Sequence, residues 1–281
     1  MVDRIRDVRG GRVPSFMYGT AWKEDATKGL VREALRAGFR AIDTANQRKH
    51  YHEAGVGAAI ADAMDGGDVT RDELFLQTKF TFVDGQDHRL PYDPRAPIAE
   101  QVGQSFQSSL EHLGVAMLDS YVLHGPSQAR GLGDADREAW SAMESLHAVG
   151  RVRLLGVSNV TAEQLELLCE IARVKPAFVQ NRCYAARGWD AAVRAICDRE
   201  GLVYQGFSLL TANRHVLAGE LAAALARKHG RTPAQMVFRL AIELGMLPLT
   251  GTTSRAHMDE DLSVYEFALG RDEVDVLLNA R

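Results

Sequence analysis

The sequence predicts an α/β protein folded as a closed (β/α)8 barrel of the TIM type, preceded by a short N-terminal β-hairpin. Eight short apolar runs alternate along the chain with longer amphipathic stretches. Such alternation indicates parallel strands joined by right-handed helical crossovers. The length of 281 residues suits one barrel, because eight strand–helix units need roughly 250 residues. We therefore expect a single domain over residues 1–281.

The predicted strands are brief apolar segments bounded by polar or turn-forming residues. In chain order they cover residues 16–21, 39–45, 74–80, 118–124, 154–159, 177–182, 202–208 and 246–251. Ahead of them, Gly10 and Gly11 separate the segments "IRDV" and "RVPSF", and such a glycine pair is typical of a hairpin turn. After the third strand, residues 82–97 show neither the alternation of a strand nor the apolar spacing of a helix, so they predict a long loop.

The predicted helices show apolar residues at helical spacing and carry recognisable ends. They cover residues 28–38, 98–114, 137–150, 161–172, 190–201, 215–230 and 232–245, and a further helix is expected to begin at Glu53. Gly38 suits a helix C-cap. Thr161 with Gln164 fits a capping box, and Thr232 followed by Pro233 fits a helix start.

The main alternative fold is an open, doubly wound sheet. That fold requires a glycine-rich phosphate turn after an early strand, and "RGG" at residues 9–11 does not supply the GxGxxG spacing. No linker, repeat or low-complexity run divides the chain. The closed barrel is therefore the better prediction.

Composition argues against several functional classes. The formal net charge of −4 offers no overall attraction to nucleic acids or acidic membranes, and no apolar run reaches the roughly 18–20 residues of a membrane span. Cys169, Cys183 and Cys197 form neither a disulfide framework nor a zinc motif. The segment Met1–Arg12 is charged and lacks the apolar core of a signal peptide. We expect a cytoplasmic monomer without a nucleic-acid or membrane partner.

Polar or aromatic side chains stand at the ends of successive predicted strands. They are Asp43, Lys79, His124, Ser158, Asn159, Gln180, Phe207 and Ser208. Taken alone, each has an ordinary interpretation, such as a turn cap for Asp43, a solvated charge for Lys79 or a core histidine for His124. In barrels of this type the carboxyl ends of the strands surround one active site. The arrival of these residues at one mouth therefore predicts a catalytic or binding site.

Several motifs, taken together and in order, resemble the aldo-keto reductase family. They are "GFRAIDTA", "EAGVGAAI", "ELFLQTKF", "LDSYVLHGP", "GVSNV", "TPAQMVFR" and "GTTS…ED", spread over nearly the whole chain. The resemblance implies a (β/α)8 barrel and reversible hydride transfer between a nicotinamide cofactor, usually NADP(H), and the carbonyl carbon of a small molecule. It also implies a catalytic set of Asp43, Tyr51, Lys79 and His124.

The chemistry of that catalytic set is coherent. The carbonyl oxygen must gain a proton, and a tyrosine with a pKa near ~10 holds one at neutral pH. The Lys79 ammonium is expected to lower the pKa of Tyr51 toward the working pH, with Asp43 holding Lys79 in place. A neutral His124 is expected to donate a hydrogen bond to the same oxygen. This chemistry requires no metal.

The resemblance implies cofactor contacts at many positions, and NADP(H) is favoured over NAD(H). The implied residues are Thr20, Ser158, Asn159, Gln180, Phe207, Ser208, Leu210, Thr252, Ser254, Arg255, His257, Glu260 and Asp261. Ser158, Asn159 and Gln180 match positions that bind the nicotinamide carboxamide. Phe207 replaces a tyrosine that stacks on the nicotinamide ring, although a plain core role is the alternative.

The adenosine end of the cofactor is implied at residues 251–261. Glu260 and Asp261 resemble the family's adenine-contacting pair, although they could equally be ordinary acids in the first turn of a helix. Gly251 stands where the family often has a lysine for the 2′-phosphate, so NADH use stays open. A phosphate is expected to be held by a helix N-terminus together with Thr252, Ser254, Arg255 and His257.

The loop after the second strand departs from the family pattern. The family tyrosine usually stands five residues after the aspartate, where this chain has Arg48, and the loop here is two residues longer. Counted back from the following helix, the tyrosine position falls on His50. Tyr51 is the candidate proton donor, and His50 is the alternative.

A substrate pocket is expected around Trp22, His50, Phe80 and Gly125, with Phe82 and Trp189 as further apolar lining. Gly125 stands where the family usually has a tryptophan, and it is expected to widen the pocket. The chain ends at Arg281, so the long C-terminal loop of larger relatives is expected to be short or missing. These features predict an open site.

Two other functions stay open. A regulatory subunit that binds NADP(H) with little turnover would follow if the longer loop displaced the proton donor. A lyase or aldolase would use Lys79 to form a Schiff base. In that case Ser158, Asn159 and Gln180 would lack a purpose.

Overall fold

A two-stranded hairpin precedes a closed barrel of eight parallel strands in the computed structural model, which describes residues 4–280. The hairpin strands are β1 (Ile5–Val8) and β2 (Gly11–Pro14). The barrel strands, each hydrogen-bonded to the next and the last to the first, are β3 (Met17–Gly19), β4 (Ala41–Asp43), β5 (Phe75–Phe80), β6 (Leu118–Leu123), β7 (Val152–Ser158), β8 (Phe178–Arg182), β9 (Val203–Phe207) and β10 (Leu247–Thr250). The fold class and the eight predicted strands are confirmed. Expectations that rest on residues 1–3 and on Arg281 lie outside the described residues.

Helices surround the barrel. Within the described residues they are α1 (Thr27–Ala37), α2 (Glu53–Asp65), α3 (Ile98–Leu113), α4 (Asp134–Ala148), α5 (Ala162–Ile171), α6 (Ala191–Glu200), α7 (Arg214–Ala218), α8 (Glu220–His229), α9 (Pro233–Glu243), α10 (Arg255–Leu262) and α11 (Arg271–Leu278). The pattern predicted as one helix over residues 215–230 forms two, because Gly219 adopts an extended backbone (φ −75°, ψ 145°) between α7 and α8. None of the helices between residues 4 and 280 is long and apolar enough to cross a bilayer.

The predicted helix ends are confirmed by their geometry. Gly38 ends α1 in the left-handed region with φ of 113°, where a residue without Cβ is favoured. The Thr161 side chain accepts a hydrogen bond from the backbone N–H of Gln164. Thr232 does the same for Gln235 at the start of α9. Each hydroxyl satisfies one N–H that the first helical turn leaves free.

The hairpin closes the N-terminal end of the barrel. Its turn consists of Arg9 and Gly10, with φ of 52° and 77°, as a type I′ turn requires. Gly11, predicted to lie in the turn, is instead the first residue of β2 and pairs with Val8. Val8 and Val13 are buried in one apolar cluster with side chains from the barrel strands. The barrel is therefore sealed at this end.

The barrel interior changes from apolar to polar along its axis. Successive side chains of a strand point to opposite faces, so Phe75, Gln77 and Lys79 share the interior face of β5. Phe75 belongs to the apolar cluster beside the hairpin, whereas Gln77 and Lys79 are fully buried further along the strand. The polar layer therefore lies at the carboxyl ends of the strands, where barrels of this type carry their active sites.

Helices α2 and α3 approach closely at Gly57. A Cβ atom added to Gly57 would lie 1.9 Å from the His112 carbonyl oxygen. Near this contact, Thr78 donates a hydrogen bond to Glu53 Oε1, and His112 Nδ1 lies 3.0 Å from Glu53 Oε2. The hydrogen bond with Glu53 is the main reason that the pKa of His112 is raised. These contacts fix the first residue of α2, immediately after the loop that carries Tyr51.

Candidate active site

A cavity of 920 Å³ opens at the carboxyl ends of the barrel strands. Most of the predicted site residues line it: Trp22, Asp43, Tyr51, His124, Ser158, Asn159, Gln180, Phe207, Ser208, Leu210, Thr252, His257, Glu260 and Asp261. The volume falls in the range of pockets that hold drug-sized ligands and cofactors. The fold thus brings residues from seven of the eight barrel strands and their following loops to one cavity.

Lys79 and Asp43 form a buried ion pair beneath the cavity. Lys79 Nζ lies 2.7 Å from each carboxylate oxygen of Asp43 and 2.8 Å from the Thr44 carbonyl oxygen. Burial lowers the pKa of Lys79, and the Asp43 carboxylate opposes that shift. The three ammonium hydrogens all have acceptors and the side chain is 0% exposed. This arrangement argues against a Schiff base at Lys79, which would need a free amine.

Three buried glutamines support Asp43. Gln77 and Gln180 donate from Nε2 to Asp43 Oδ1, at 2.8 and 3.0 Å. Both also donate to Gln205 Oε1, and Gln205 donates to Gln77 Oε1 at 3.1 Å. Such hydrogen bonds fix the orientation of the carboxylate. Sequence reasoning missed Gln77 and Gln205, although a polar residue inside an apolar strand pattern was the available signal.

Tyr51 covers the ion pair. The Lys79 ammonium lies 5.3 Å from the centre of the Tyr51 ring, and the ring centre of His124 lies 5.9 Å away. Burial raises the pKa of Tyr51, and the Asp43 carboxylate adds to that rise. The expectation that Lys79 lowers this pKa is wrong, because burial dominates and Asp43 balances the ammonium charge. The phenol therefore keeps its proton at neutral pH.

The longer loop between β4 and α2 is held by contacts with neighbouring segments. Asn46 donates from Nδ2 to the Ser105 carbonyl oxygen at 3.0 Å. Arg48 pairs with Glu24 at 3.0 Å. The backbone N–H of Tyr51 donates to the Gln47 carbonyl oxygen at 3.0 Å. With these contacts the loop presents Tyr51 to the cavity in spite of its added length.

His50 lies outside the cavity wall, beside the exposed Trp22. The two rings are 3.9 Å apart between centres, and His50 Nδ1 lies 2.9 Å from Gln47 Oε1. Trp22 is 72% exposed, so the pair forms part of the outer edge of the opening. Gly125, predicted for the substrate pocket, also lies outside the cavity wall.

His124 is held on both its ring and its backbone. Thr81 Oγ1 lies 2.6 Å from His124 Nδ1, and Asn159 Nδ2 donates to the His124 carbonyl oxygen at 2.8 Å. Burial lowers the pKa of His124 well below its ordinary value, and the Lys79 ammonium acts in the same direction. The imidazole is therefore neutral at neutral pH. Because Nδ1 is engaged by Thr81, Nε2 is the nitrogen left for a ligand.

The predicted nicotinamide-contacting residues lie side by side. Ser158 Oγ donates to the Gln180 carbonyl oxygen at 2.6 Å. Asn159 adopts φ of 55°, a left-handed conformation that asparagine tolerates better than most residues. Thr20 does not line the cavity; its buried hydroxyl donates to the Asp43 carbonyl oxygen at 3.0 Å. Phe207 fits both interpretations, because it packs against the apolar cluster of the barrel and lines the cavity.

Lys23, which sequence reasoning missed, is the one lysine or arginine among the described residues of the cavity wall. Its ammonium donates to the Gly251 carbonyl oxygen at 2.6 Å and lies 5.3 Å from the centre of the Tyr18 ring. Burial lowers the pKa of Lys23 to about 8. A cation thus reaches the position where the family pattern has a lysine and this chain has glycine.

The start of α10 carries the other predicted phosphate contacts. Ser254 caps the helix by accepting a hydrogen bond from the His257 backbone N–H. Arg255 points elsewhere, because its guanidinium pairs with Asp259 at 3.0 Å and with Glu33 at 3.5 Å. It does not line the cavity. Its partner Glu33 is remote in sequence, so this pairing could not be read from the chain.

Phe80 and Trp189 do not line the cavity, contrary to prediction. Phe80 follows Lys79 on β5 and therefore faces the helices, where it packs on Phe82 and Tyr92 with ring centres 5.1 and 5.7 Å apart. Trp189 is fully buried in the core. Strand alternation alone would have excluded Phe80, since its neighbour Lys79 was assigned to the interior.

Comparison with known proteins gives a consistent result. A profile of the Aldo/keto reductase family matches residues 15–279. An aldo-keto reductase of Mycolicibacterium vanbaalenii is 30% identical, over 94% of this chain and 87% of its own. The glyoxal reductase of Bacillus subtilis is 28% identical, over 97% and 91%. A crystal structure of an aldo/keto reductase from Brucella melitensis matches with a TM-score of 0.83 at 27% identity, covering 99% of each chain.

Proposed function

This chain belongs to the aldo/keto reductase family, and we propose that it reduces a small or medium-sized aldehyde, ketone or keto-sugar, with Tyr51 as proton donor and NADPH as the preferred cofactor. Family membership makes it an NAD(P)H-dependent oxidoreductase that acts on carbonyl groups. The relatives described above give no support to a non-catalytic regulatory subunit.

The cavity suits a nicotinamide dinucleotide. Beside the catalytic set it offers the side-chain amides of Asn159 and Gln180. In another part of its wall, the buried Oδ2 of Asp261 has no partner among residues 4–280, and the Lys23 ammonium donates to a backbone carbonyl oxygen. Buried polar groups normally have partners, so a polar ligand would complete this wall.

The proton that reduction requires comes from this chain. When bound, the cofactor supplies the hydride that adds to the carbonyl carbon. The Tyr51 phenol, which stays protonated because its pKa is raised, donates to the carbonyl oxygen. The observation that carries this proposal is the position of the Tyr51 ring, 5.3 Å from the Lys79 ammonium and 5.9 Å from the His124 ring centre.

The other catalytic residues act on the same oxygen or on the phenol. Neutral His124 donates from Nε2 to the carbonyl oxygen, which orients the substrate and stabilises its developing charge. The Lys79 ammonium, near the Tyr51 ring, offsets part of the cost that burial places on the phenolate that remains on Tyr51. Asp43, held by the glutamines, keeps Lys79 in place.

Preference for NADPH rests on the cationic and polar groups near α10. Lys23, Thr252 and His257 line the same part of the cavity, and the N–H groups of the first α10 turn favour an anion. Two cationic or titratable groups beside a helix start suit a phosphate on the adenosine ribose. NADH lacks that phosphate and would leave these groups unused.

The test uses the purified full chain, NADPH and a panel of carbonyl compounds that includes glyoxal, since one relative is a glyoxal reductase. Tyr51→Phe keeps the ring and removes the proton. It should lower kcat by roughly a thousandfold with little change in the Kd for NADPH. The matched variant His50→Gln should leave kcat nearly unchanged. Full activity in Tyr51→Phe together with loss in His50→Gln would overturn the assignment.

A further inference from the structure

Another cavity, of 760 Å³, lies beside the hairpin at the end of the barrel opposite the candidate active site. Its wall combines hairpin residues with residues at or near the N-terminal ends of strands β3 to β7. Five of the lining residues are arginines: Arg4, Arg12, Arg40, Arg71 and Arg153. Because barrels of this type carry their catalytic residues at the other end, the catalytic function does not account for this cluster.

The cavity is cationic although the chain as a whole is acidic. The carboxylates of its lining are three: Asp72, Glu73 and Asp119. Asp119 is shared by Arg71 and Arg153, at 2.8 and 3.5 Å, and Glu73 accepts from the Thr70 backbone N–H at 2.7 Å. The lining therefore has a formal excess of two positive charges, whereas the chain carries −4. A concave wall with such an excess attracts anions.

The other three arginines form no ion pair within residues 4–280. Arg40 Nη1 donates to two backbone carbonyl oxygens, both at 2.9 Å. The Arg4 guanidinium lies 5.3 Å from the centre of the Tyr265 ring. Arg12 has no hydrogen-bond partner in the described part of the chain. Each of the three thus brings to the cavity a charge that no carboxylate of those residues balances.

Part of the cavity wall is apolar. Ile5, Pro14 and Leu262 line it, and each is at least partly exposed. The volume falls in the range of pockets that bind small molecules and is larger than an inorganic ion needs. A ligand that fills this cavity would therefore combine an anionic group with an organic body.

We propose that this cavity is a second binding site, which takes a small organic phosphate. The phosphate pairs with Arg12 and Arg40, Arg4 adds positive charge, and the organic body packs on the apolar wall. A guanidinium matches phosphate oxygens with two parallel hydrogen bonds. A phosphate monoester carries close to two negative charges at neutral pH, which matches the excess of the lining. The site lies outside the catalytic cavity, so this inference does not rest on the proposed function.

Isothermal titration calorimetry of the full chain tests the inference. The probes are AMP and glucose 6-phosphate, and adenosine is the control ligand that lacks the phosphate. Each titration is run with and without saturating NADPH, which keeps AMP out of the catalytic cavity. Arg12→Gln removes one charge from the second cavity. Arg95→Gln is the matched control, because Arg95 is an exposed arginine that does not line this cavity.

With NADPH present, at least one of the two phosphates should bind, with one molecule per chain. Arg12→Gln should weaken that binding by roughly 10- to 100-fold, the range for loss of a charge-assisted hydrogen bond. Arg95→Gln should leave the Kd unchanged, and adenosine should bind at least roughly tenfold more weakly than AMP. The circular dichroism spectrum of Arg12→Gln should match that of the wild type, since Arg12 has no partner to lose within residues 4–280.

The inference would be overturned if neither phosphate bound at millimolar concentration, or if wild type and Arg12→Gln bound them equally. An equal loss in Arg95→Gln would overturn it as well, because the effect would then be one of overall charge. Displacement of both phosphates by NADPH would place them in the catalytic cavity, with the same consequence. Normal phosphate binding without any carbonyl reduction would count against the proposed function alone.

Discussion

Thr81 Oγ1 and His124 Nδ1 lie 2.6 Å apart. His124 is neutral because its pKa is lowered well below the ordinary value, so one ring nitrogen carries a hydrogen and the other accepts. A hydroxyl that donates to Nδ1 leaves the hydrogen on Nε2. The Thr81 hydroxyl can equally accept from Nδ1, but when it donates, His124 is the tautomer that can donate from Nε2 into the cavity.

Replacing Thr81 with valine should lower kcat by roughly 10- to 100-fold, because the imidazole then loses the hydrogen bond at Nδ1 that orients its ring. The Kd for NADPH should stay unchanged. Thr81→Ser keeps the hydroxyl and should recover most of the rate. Steady-state kinetics with one aldehyde, paired with NADPH titrations, measure both effects. A valine variant as fast as the wild type would remove Thr81 from the mechanism.

Carbonyl reduction at saturating NADPH should be nearly independent of pH between about pH 6 and about pH 9. The lowered pKa of His124 keeps the imidazole neutral over this range, and the raised pKa of Tyr51 keeps the phenol protonated. Alcohol oxidation needs the phenolate as base, so its rate should increase with pH over the same range. Profiles of kcat in both directions test this. A rise or fall of kcat for reduction near pH 7 would contradict the direction of the pKa shift of His124 or of Tyr51.

Replacing Lys23 with methionine should weaken NADPH binding by roughly 10- to 100-fold, the range for loss of one charge-assisted hydrogen bond. NADH binding should weaken much less if Lys23 contacts the 2′-phosphate. Fluorescence titration of both cofactors measures the ratio. Lys28→Met is the matched control, because Lys28 is an exposed lysine paired with Asp62 and does not line the cavity. Equal losses for the two cofactors would instead place Lys23 on a group that both share.

Replacing Gly57 with alanine should destabilise the fold by about 3 kcal/mol or more, because α2 and α3 must separate to admit the methyl group. Gly103→Ala is the matched control, since a Cβ at that helical position meets nothing within 4 Å. That control should stabilise the protein by roughly 0.5–1 kcal/mol, because alanine lowers the conformational entropy of the unfolded chain. Urea unfolding of the two variants compares them directly. A neutral Gly57→Ala would show that the helices adapt at little cost.

The barrel was predictable from the chain because its strands are apolar and its helices periodic, with clear caps. The placement of Asp43, Lys79 and His124 near the cavity could be predicted from the strands, because the carboxyl ends of all the barrel strands lie at the same end of the barrel. The choice between His50 and Tyr51 could not be made in the same way. It depends on contacts such as Asn46 with Ser105, between segments that the chain keeps far apart.

The residues expected to bind the cofactor phosphate also depend on contacts between segments that are distant in sequence. Arg255 was expected at the cofactor because it follows the motif, but its guanidinium pairs with Glu33 and Asp259. Lys23 was not expected because it belongs to the loop after the first barrel strand. Its contact with the Gly251 carbonyl oxygen arises because the barrel closes the first strand on the last. Closure of this kind leaves no local signal in the sequence.

The hairpin valines, Val8 and Val13, seal the barrel opposite the cavity, and this has a kinetic consequence. Within the described residues, apolar side chains close the barrel axis at that end, so the cofactor and the carbonyl compound both enter from the carboxyl ends of the strands. If one of them covers the other in the cavity, the covered molecule must bind first and leave last. Product-inhibition patterns would then show ordered rather than random binding.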